Sequence, residues 1–394
     1  MLKQILFGAA AVAAAAAPCA VASADSGKHL GAGAAFTYAI YGDAPYGKSP
    51  TDTSETDATP AFIDAVNADP DVSSVVHVGD IHSGSQYCTA AYDEQVYGLW
   101  TKFADPLVYT PGDNEWADCH KKKEGGGVYD ATTGTIKYVL GTDGLPVNYA
   151  NGNPVANLDL VRSIFFATAG QTLGGGGLAV TSQATAYDPA HPEDAQYVEN
   201  VRWERHGIVF VTVDVPGGSN NDADPWYGTP MATDEQTQER TARTVADLRW
   251  LDASFDYADR AGAAGIVLLT QADMWDLDGA ATNAHLSNYE SLIANIAGNT
   301  KAFRHPVLLL NGDSHIYRSD NPLQQASACV GDSGVCAYDA WTSHPSYDVS
   351  NFHRIVVHGS TVPLEYLKLT IDPSAHNATT ATSFGNFSWK RITE

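Results

Sequence analysis

The chain has 394 residues, 44% of them hydrophobic, and 22 basic against 46 acidic side chains give a formal net charge of −24. That length allows one large core or two smaller ones. So acidic a surface repels polyanions at long range, which argues against nucleic acid and anionic membranes as partners.

The first residues, Met1-Leu2-Lys3-Gln4, lead into an Ala-rich apolar run that ends at Ala22-Ser23-Ala24. A basic start, a short apolar stretch and a small-residue exit predict a secretory signal peptide over residues 1–24, then a lead-in over 25–35. The run is too short for a persuasive membrane span, so the expectation is a secreted or periplasmic protein. Cys19 would leave with the signal, while Cys88, Cys119, Cys329 and Cys336 remain. Four cysteines in an exported chain, with no Cys-x-x-Cys pair, favour disulfides over a zinc site, and the local pairs Cys88–Cys119 and Cys329–Cys336 are preferred.

Phe36 to Tyr41 reads as a strand ending in Gly42-Asp43-Ala44-Pro45-Tyr46. Thr59-Pro60 predicts the start of an amphipathic helix through about Asn67, with Pro60 at its first position. Asp71 to Val78 is the next strand, ending in Gly79-Asp80-Ile81-His82. A helix through Trp100 leads to Leu107-Val108-Tyr109-Thr110, which stops at Pro111-Gly112-Asp113-Asn114-Glu115. Strand, helix, strand, helix, strand at this spacing means parallel pairing with crossover helices.

Residues 121–197 differ in character: Lys121-Lys122-Lys123 and two Gly-rich runs punctuate them, with one helical stretch from Leu158 to Ala167. They read as an insertion over the carboxyl ends of the strands, within one main domain spanning 36–394. Alternation resumes with a strand at Gly207–Asp214. A long helix follows over Thr233–Arg260, with Val245, Leu248, Leu251 and Phe255 on one face. Gly265–Thr270 is a strand ending in Gln271-Ala272-Asp273, and a helix near Leu286–Ala297 precedes Pro306–Asn311, which ends in Gly312-Asp313-Ser314-His315. Antiparallel strands are expected over about 352–392, within Phe352–Ile371 and Phe384–Ile392.

Five apolar runs are thus each followed at once by oxygen or nitrogen ligands. One such strand end is ordinary turn or cap chemistry. Five in parallel strands converge on one edge, where carboxylates and imidazoles repel or desolvate one another unless cations are present. Mixed Asp, Asn and His donors suit Mn, Fe, Zn or Mg, one ion or two, acting on a phosphoryl group through a hydroxide nucleophile.

The order Asp43, Gly79-Asp80, Gly112-x-Asn114, a polar strand end at Gln271, and Gly312-x-x-His315 resembles the calcineurin-like metallophosphoesterases, which include the purple acid phosphatases, over residues 36–318. The resemblance implies an α/β fold layered α/β/β/α, with a metal site at the strand carboxyl ends and a small phosphate mono- or diester as substrate. It would make Asp43 a ligand of one metal and Asp80 the bridge. Asn114, Gln271 and Asp313 would bind the second metal, and His315 the first. Three positions depart from the family pattern: Pro45 and Gln271 stand where His is usual, and Asp313 replaces another. Harder donors favour Mg or Mn. The family's acid after Asn114 is here Glu115, and His82 and His120 are the other candidate proton donors. The alternatives are a metal- or ligand-binding protein on the same fold that has lost catalysis, and a nucleotide or pyrophosphate hydrolase.

Overall fold

A computed structural model describes residues 33–221, 224–276 and 283–393. The expected signal peptide and most of the lead-in lie outside these.

Two mixed sheets face one another, with helices outside both. The first sheet is built on β1 (Phe36–Tyr41), β2 (Val72–His77) and β3 (Pro106–Tyr109), which run parallel. Helices α1 (Ser54–Ala68), α2 (Ala90–Trp100) and α3 (Pro154–Phe165) pack on its outer face. The second sheet contains β4 (Val201–Arg205), β5 (Ile208–Thr212), β6 (Gly265–Leu269), β7 (Val307–Asn311), β8 (Arg318–Asp320) and β9 (Phe352–Val356). Its outer face is covered by α4 (Asp234–Ala261) and α5 (Glu290–Phe303). Two further strands, β10 (Glu365–Ile371) and β11 (Phe387–Thr393), extend the first sheet beyond β1 as antiparallel neighbours.

Period-two alternation sorts the layers. Tyr38, Ile40, Phe210, Leu308 and Leu310 meet between the sheets. The intervening Ala39 and Tyr41 face α1 and α2, while Val307 and Leu309 face α4 and α5. Strands buried on both faces therefore read as continuous apolar runs, and the result is the expected α/β/β/α sandwich.

Several boundaries differ from expectation. Helix α1 begins at Ser54, so Pro60 lies inside it rather than opening it. Glu55 and Asp57 in its first turn complement the positive helix end, which starts the helix ahead of the proline. On α4 the buried face is Trp250, Leu251, Phe255 and Ala258, whereas Val245 is 42% exposed. Strand β4 was not foreseen. It pairs with β5 through a two-residue turn at His206 and Gly207, both with positive φ, as a tight hairpin matched to strand twist requires. Strand β9 pairs parallel with β7, whereas the later C-terminal strands, β10 and β11, pair antiparallel. Within 121–197, α3 packs on the first sheet's outer face beside α2, and Gly127–Asp130 pairs with Thr135–Tyr138 as a separate hairpin.

Both expected disulfides are present, with sequence separations of 31 for Cys88–Cys119 and 7 for Cys329–Cys336. The first ties the loop before α2 to the loop after β3. Loop-closure entropy predicts that removing it costs about 3–4 kcal/mol, and removing the second about 2 kcal/mol. Urea melts of the paired Cys→Ser variants check this ranking; equal losses would show that closure entropy does not govern them.

Candidate metal centre

The carboxyl ends of β1, β2, β3, β6 and β7 converge at one edge. Three of the residues that follow them, Asp43, Asp80 and Asp313, have φ of 51°, 61° and 77°, and His315 has 61°. Left-handed backbone costs an L-residue roughly 1–2 kcal/mol, least for Asp and Asn, so four such residues concentrate backbone strain at one edge. The bends are set by close backbone approach. A Cβ on Gly112 would stand 1.9 Å from Asp80 Oδ1, and one on Gly312 would stand 2.6 Å from Asp43 Oδ2.

Asp43, Asp80, Asn114, Gln271, Asp313 and His315 are brought together. Asp43 Oδ1 accepts the Asp313 N–H at 2.9 Å, and His315 Nε2 lies 3.8 Å from the same oxygen. Asp80 Oδ2 accepts from Tyr46 Oη at 2.7 Å, Asn114 Nδ2 at 3.1 Å and Gln271 Nε2 at 3.1 Å. The same Gln271 nitrogen donates to Asp113 Oδ1 at 3.1 Å. Asp313 Oδ2 accepts the Asp273 N–H at 2.9 Å.

Burial pushes the Asp43, Asp80 and Asp313 carboxyls well above the usual carboxylate range, and the Asp113 charge adds to the rise in each. Burial, with Asp118 adding and Lys121 opposing, lifts Asp113 to about 7. Such a cluster must keep protons or take a cation.

One part of it fits a metal ion. Ligand atoms of Asp43, Asp80 and His315 lie within 4.8 Å of one another. Asp43 Oδ2 is buried without a hydrogen-bond partner, and the His315 side chain, 40% exposed, opens the group to solvent. Two hard oxygens and an imidazole suit Mn, Mg, Fe or Zn. The part implied for a second ion does not fit, because Asn114 and Gln271 turn N–H donors, not oxygens, toward Asp80. A further trio, His82 with Cys88 and Cys119, is equally close, but its two sulfurs are bonded to each other and offer no thiolate.

The three candidate proton donors sit differently. Glu115, 1% exposed, accepts from Tyr109 Oη at 2.5 Å and Gly112 N at 2.6 Å, so it braces the turn beneath the centre. Burial raises its carboxyl, opposed by the Gly112 N–H. His82 is fully buried, with Nδ1 3.3 Å from Ser83 O and Nε2 unpartnered, and burial draws it down to about 4. His120 Nδ1 accepts the Tyr227 N–H at 3.0 Å, and burial likewise holds it at about 4. Among the described residues no hydrogen bond joins any of the three to the carboxylate cluster.

Sequence reasoning gave no role to Tyr46, and it counted Asp113 among the strand-end donors without assigning it a metal. Tyr46 lies only three residues past Asp43, but an aromatic after a strand reads as packing. Its hydroxyl is 3.3 Å from His315 Nε2 and accepts Asn114 Nδ2 at 3.0 Å, while its backbone N–H is held by Glu55 at 2.6 Å. At the rim, a Cβ on Gly84 would stand 3.1 Å from Lys123 Nζ and 3.2 Å from Asn114 Oδ1. Lys121 is committed to Asp118 at 2.6 Å and Asp224 at 3.1 Å.

No family model and no curated protein matches the sequence. Among solved structures, the chain is similar to GAP50, the anchor in the inner membrane complex of Plasmodium, at 9% identity and a TM-score of 0.43, covering 92% of this chain and 85% of that one. It is also similar to the purple acid phosphatase PPD1 from yellow lupin (Lupinus luteus) seeds, at 11% identity and a TM-score of 0.39, covering 91% of this chain and 54% of that one. These are distant likenesses of fold, and any reading of activity rests on the site itself.

Proposed function

We propose that the chain is an exported, metal-dependent hydrolase of phosphate mono- or diesters. The observation that carries this is the Asp43, Asp80 and His315 group, with Asp43 Oδ2 buried and unpartnered beside it. A divalent cation bound there would polarise a phosphoryl oxygen and supply hydroxide near neutral pH. Asp43 and Asp80 bring the negative charge that selects a cation, and His315 completes the group from the solvent side. Tyr46 orients Asp80 through its hydroxyl. Asp113, lifted to about 7, is poised to take up or release a proton at neutral pH. Lys123, at the rim and 67% exposed, offers the positive charge a phosphate needs against an otherwise acidic surface. Two disulfides support export, and no described helix is long and apolar enough to cross a membrane.

The expected result is turnover of aryl phosphate mono- or diesters, nucleotides or pyrophosphate when Mn, Mg, Zn or Fe is added to the metal-stripped protein. A second reading, binding without catalysis, is favoured by one observation: Glu115 and His120 are held by hydrogen bonds outside the cluster. Bound metal with no turnover of any of these substrates would select it.

A further inference from the structure

Gln271 carries an implication of its own. Its Oε1 accepts the Gly217 N–H at 2.5 Å, and a backbone N–H can be satisfied only by the oxygen of the carboxamide. The amide orientation is thereby fixed, and the nitrogen must point at Asp80 Oδ2 and Asp113 Oδ1, 3.1 Å from each. Asn114 repeats the arrangement, its Nδ2 donating to Asp80 Oδ2 at 3.1 Å and to Tyr46 Oη at 3.0 Å. With Tyr46 Oη at 2.7 Å, Asp80 Oδ2 receives three donors, and Oδ1 accepts the Asn114 N–H at 3.3 Å. So engaged, Asp80 can offer one cation a lone pair but cannot bridge two.

We propose that the centre takes one divalent cation per chain, at Asp43, Asp80 and His315, and that the Gln271 carboxamide occupies the position of a second. A carboxamide NH₂ set between two buried carboxylates supplies part of the positive potential an ion would supply. It does so without an exchangeable ligand. This rests on the metal-dependent reading above and sharpens it to a mononuclear site.

The test is metal content. Full-length protein is stripped with chelator, equilibrated with excess Mn(II), exchanged into high salt to remove ions held by the acidic surface, and analysed for metal per chain. The final exchange buffer supplies the background. The expected result is one ion in the wild type, none above background in Asp43→Asn, and two in Gln271→Glu, which replaces the N–H donors with oxygens. The Mn(II) spin resonance spectrum of the wild type is expected to show an isolated ion, and that of Gln271→Glu a coupled pair. Should the extra buried carboxylate prevent Gln271→Glu from folding, Gln271→His offers a neutral nitrogen acceptor at the same place. Two ions in the wild type would overturn this inference and leave the metal-dependent reading standing. No ion in the wild type would overturn both. One ion in the wild type and in both Gln271 variants would show that the carboxamide is not what excludes the second.

Discussion

Replacing Arg354 with methionine is expected to cost about 3–5 kcal/mol of stability at neutral pH, because it leaves two buried carboxylates without their shared counter-ion. Arg354 is fully buried on β9; it pairs with Asp273 through Nη1 and holds Asp320 through Nε and Nη2, both at 2.9 Å. Burial alone would raise the Asp320 carboxyl, but the Arg354 and Arg318 guanidiniums outweigh it and hold Asp320 below the usual carboxylate range. A depressed folded-state value means that this stabilisation is fully present above about pH 4 and is lost as pH falls through the depressed value. In Arg354→Met only Arg318 is left to oppose the burial of Asp320, so its carboxyl rises, and the variant's penalty is greatest at neutral pH and shrinks toward pH 4. Urea melts of both proteins across that range check the sign; a gap that stays constant with pH, or falls below about 1 kcal/mol at pH 7, would contradict it. The same arginine reaches the centre indirectly. Asp273 donates its N–H to Asp313 Oδ2 at 2.9 Å and accepts from Ser314 Oγ at 3.0 Å. A loosened Asp273 should also weaken metal binding, by about 10-fold on the scale of outer-shell substitutions.

What could be read from the sequence followed from what sequence encodes locally. The strands β1, β2, β3, β6 and β7 were legible because burial on both faces makes continuous apolar runs. Their ends were legible because Asp43, Asp80, Asp113, Gln271 and Asp313 follow them at once. The β4–β5 hairpin was missed because Val201-Arg202-Trp203-Glu204-Arg205 alternates as a half-exposed strand inside a stretch that otherwise reads as loop. The parallel pairing of β9 with β7 depends on contacts across the fold, which no local pattern carries.

At the site the limit was orientation. Placing Gln271 at a strand end says that an amide is present, not which of its atoms faces the carboxylates. That is decided by the Gly217 N–H, 54 residues away in sequence. Glu115 shows the converse. Its position after Asn114 suggested an acid facing substrate, but the Gly112 N–H three residues back takes its carboxylate for the turn itself. Short-range hydrogen bonds of that kind compete with any functional role assigned from position alone.

The substitution Asp43→Asn should therefore move two properties in opposite directions. Asp43 is fully buried, its Oδ2 has no hydrogen-bond partner, and burial together with Asp113, Glu115 and Glu55 raises its carboxyl. An ionised Asp43 costs stability there. An amide removes the charge, while its oxygen can still accept the Asp313 N–H that Asp43 Oδ1 holds at 2.9 Å. The stripped variant is expected to be more stable than the stripped wild type by about 1–2 kcal/mol, the range in which relief at strained functional sites falls. With Mn(II) at about 100 times its dissociation constant the wild type gains about 2.7 kcal/mol by mass action, and the variant gains almost none. The two proteins thus exchange rank on adding metal, and the variant hydrolyses no phosphate ester at any metal concentration. Denaturation with chelator and with Mn(II) measures both differences. A stripped variant less stable than the wild type, with an undiminished response to Mn(II), would make Asp43 a structural acceptor for Asp313 and move the cation elsewhere. If the proposed cation binds there, its uptake must restore more stability than the buried Asp43 charge removes, and the exchange of rank measures that balance.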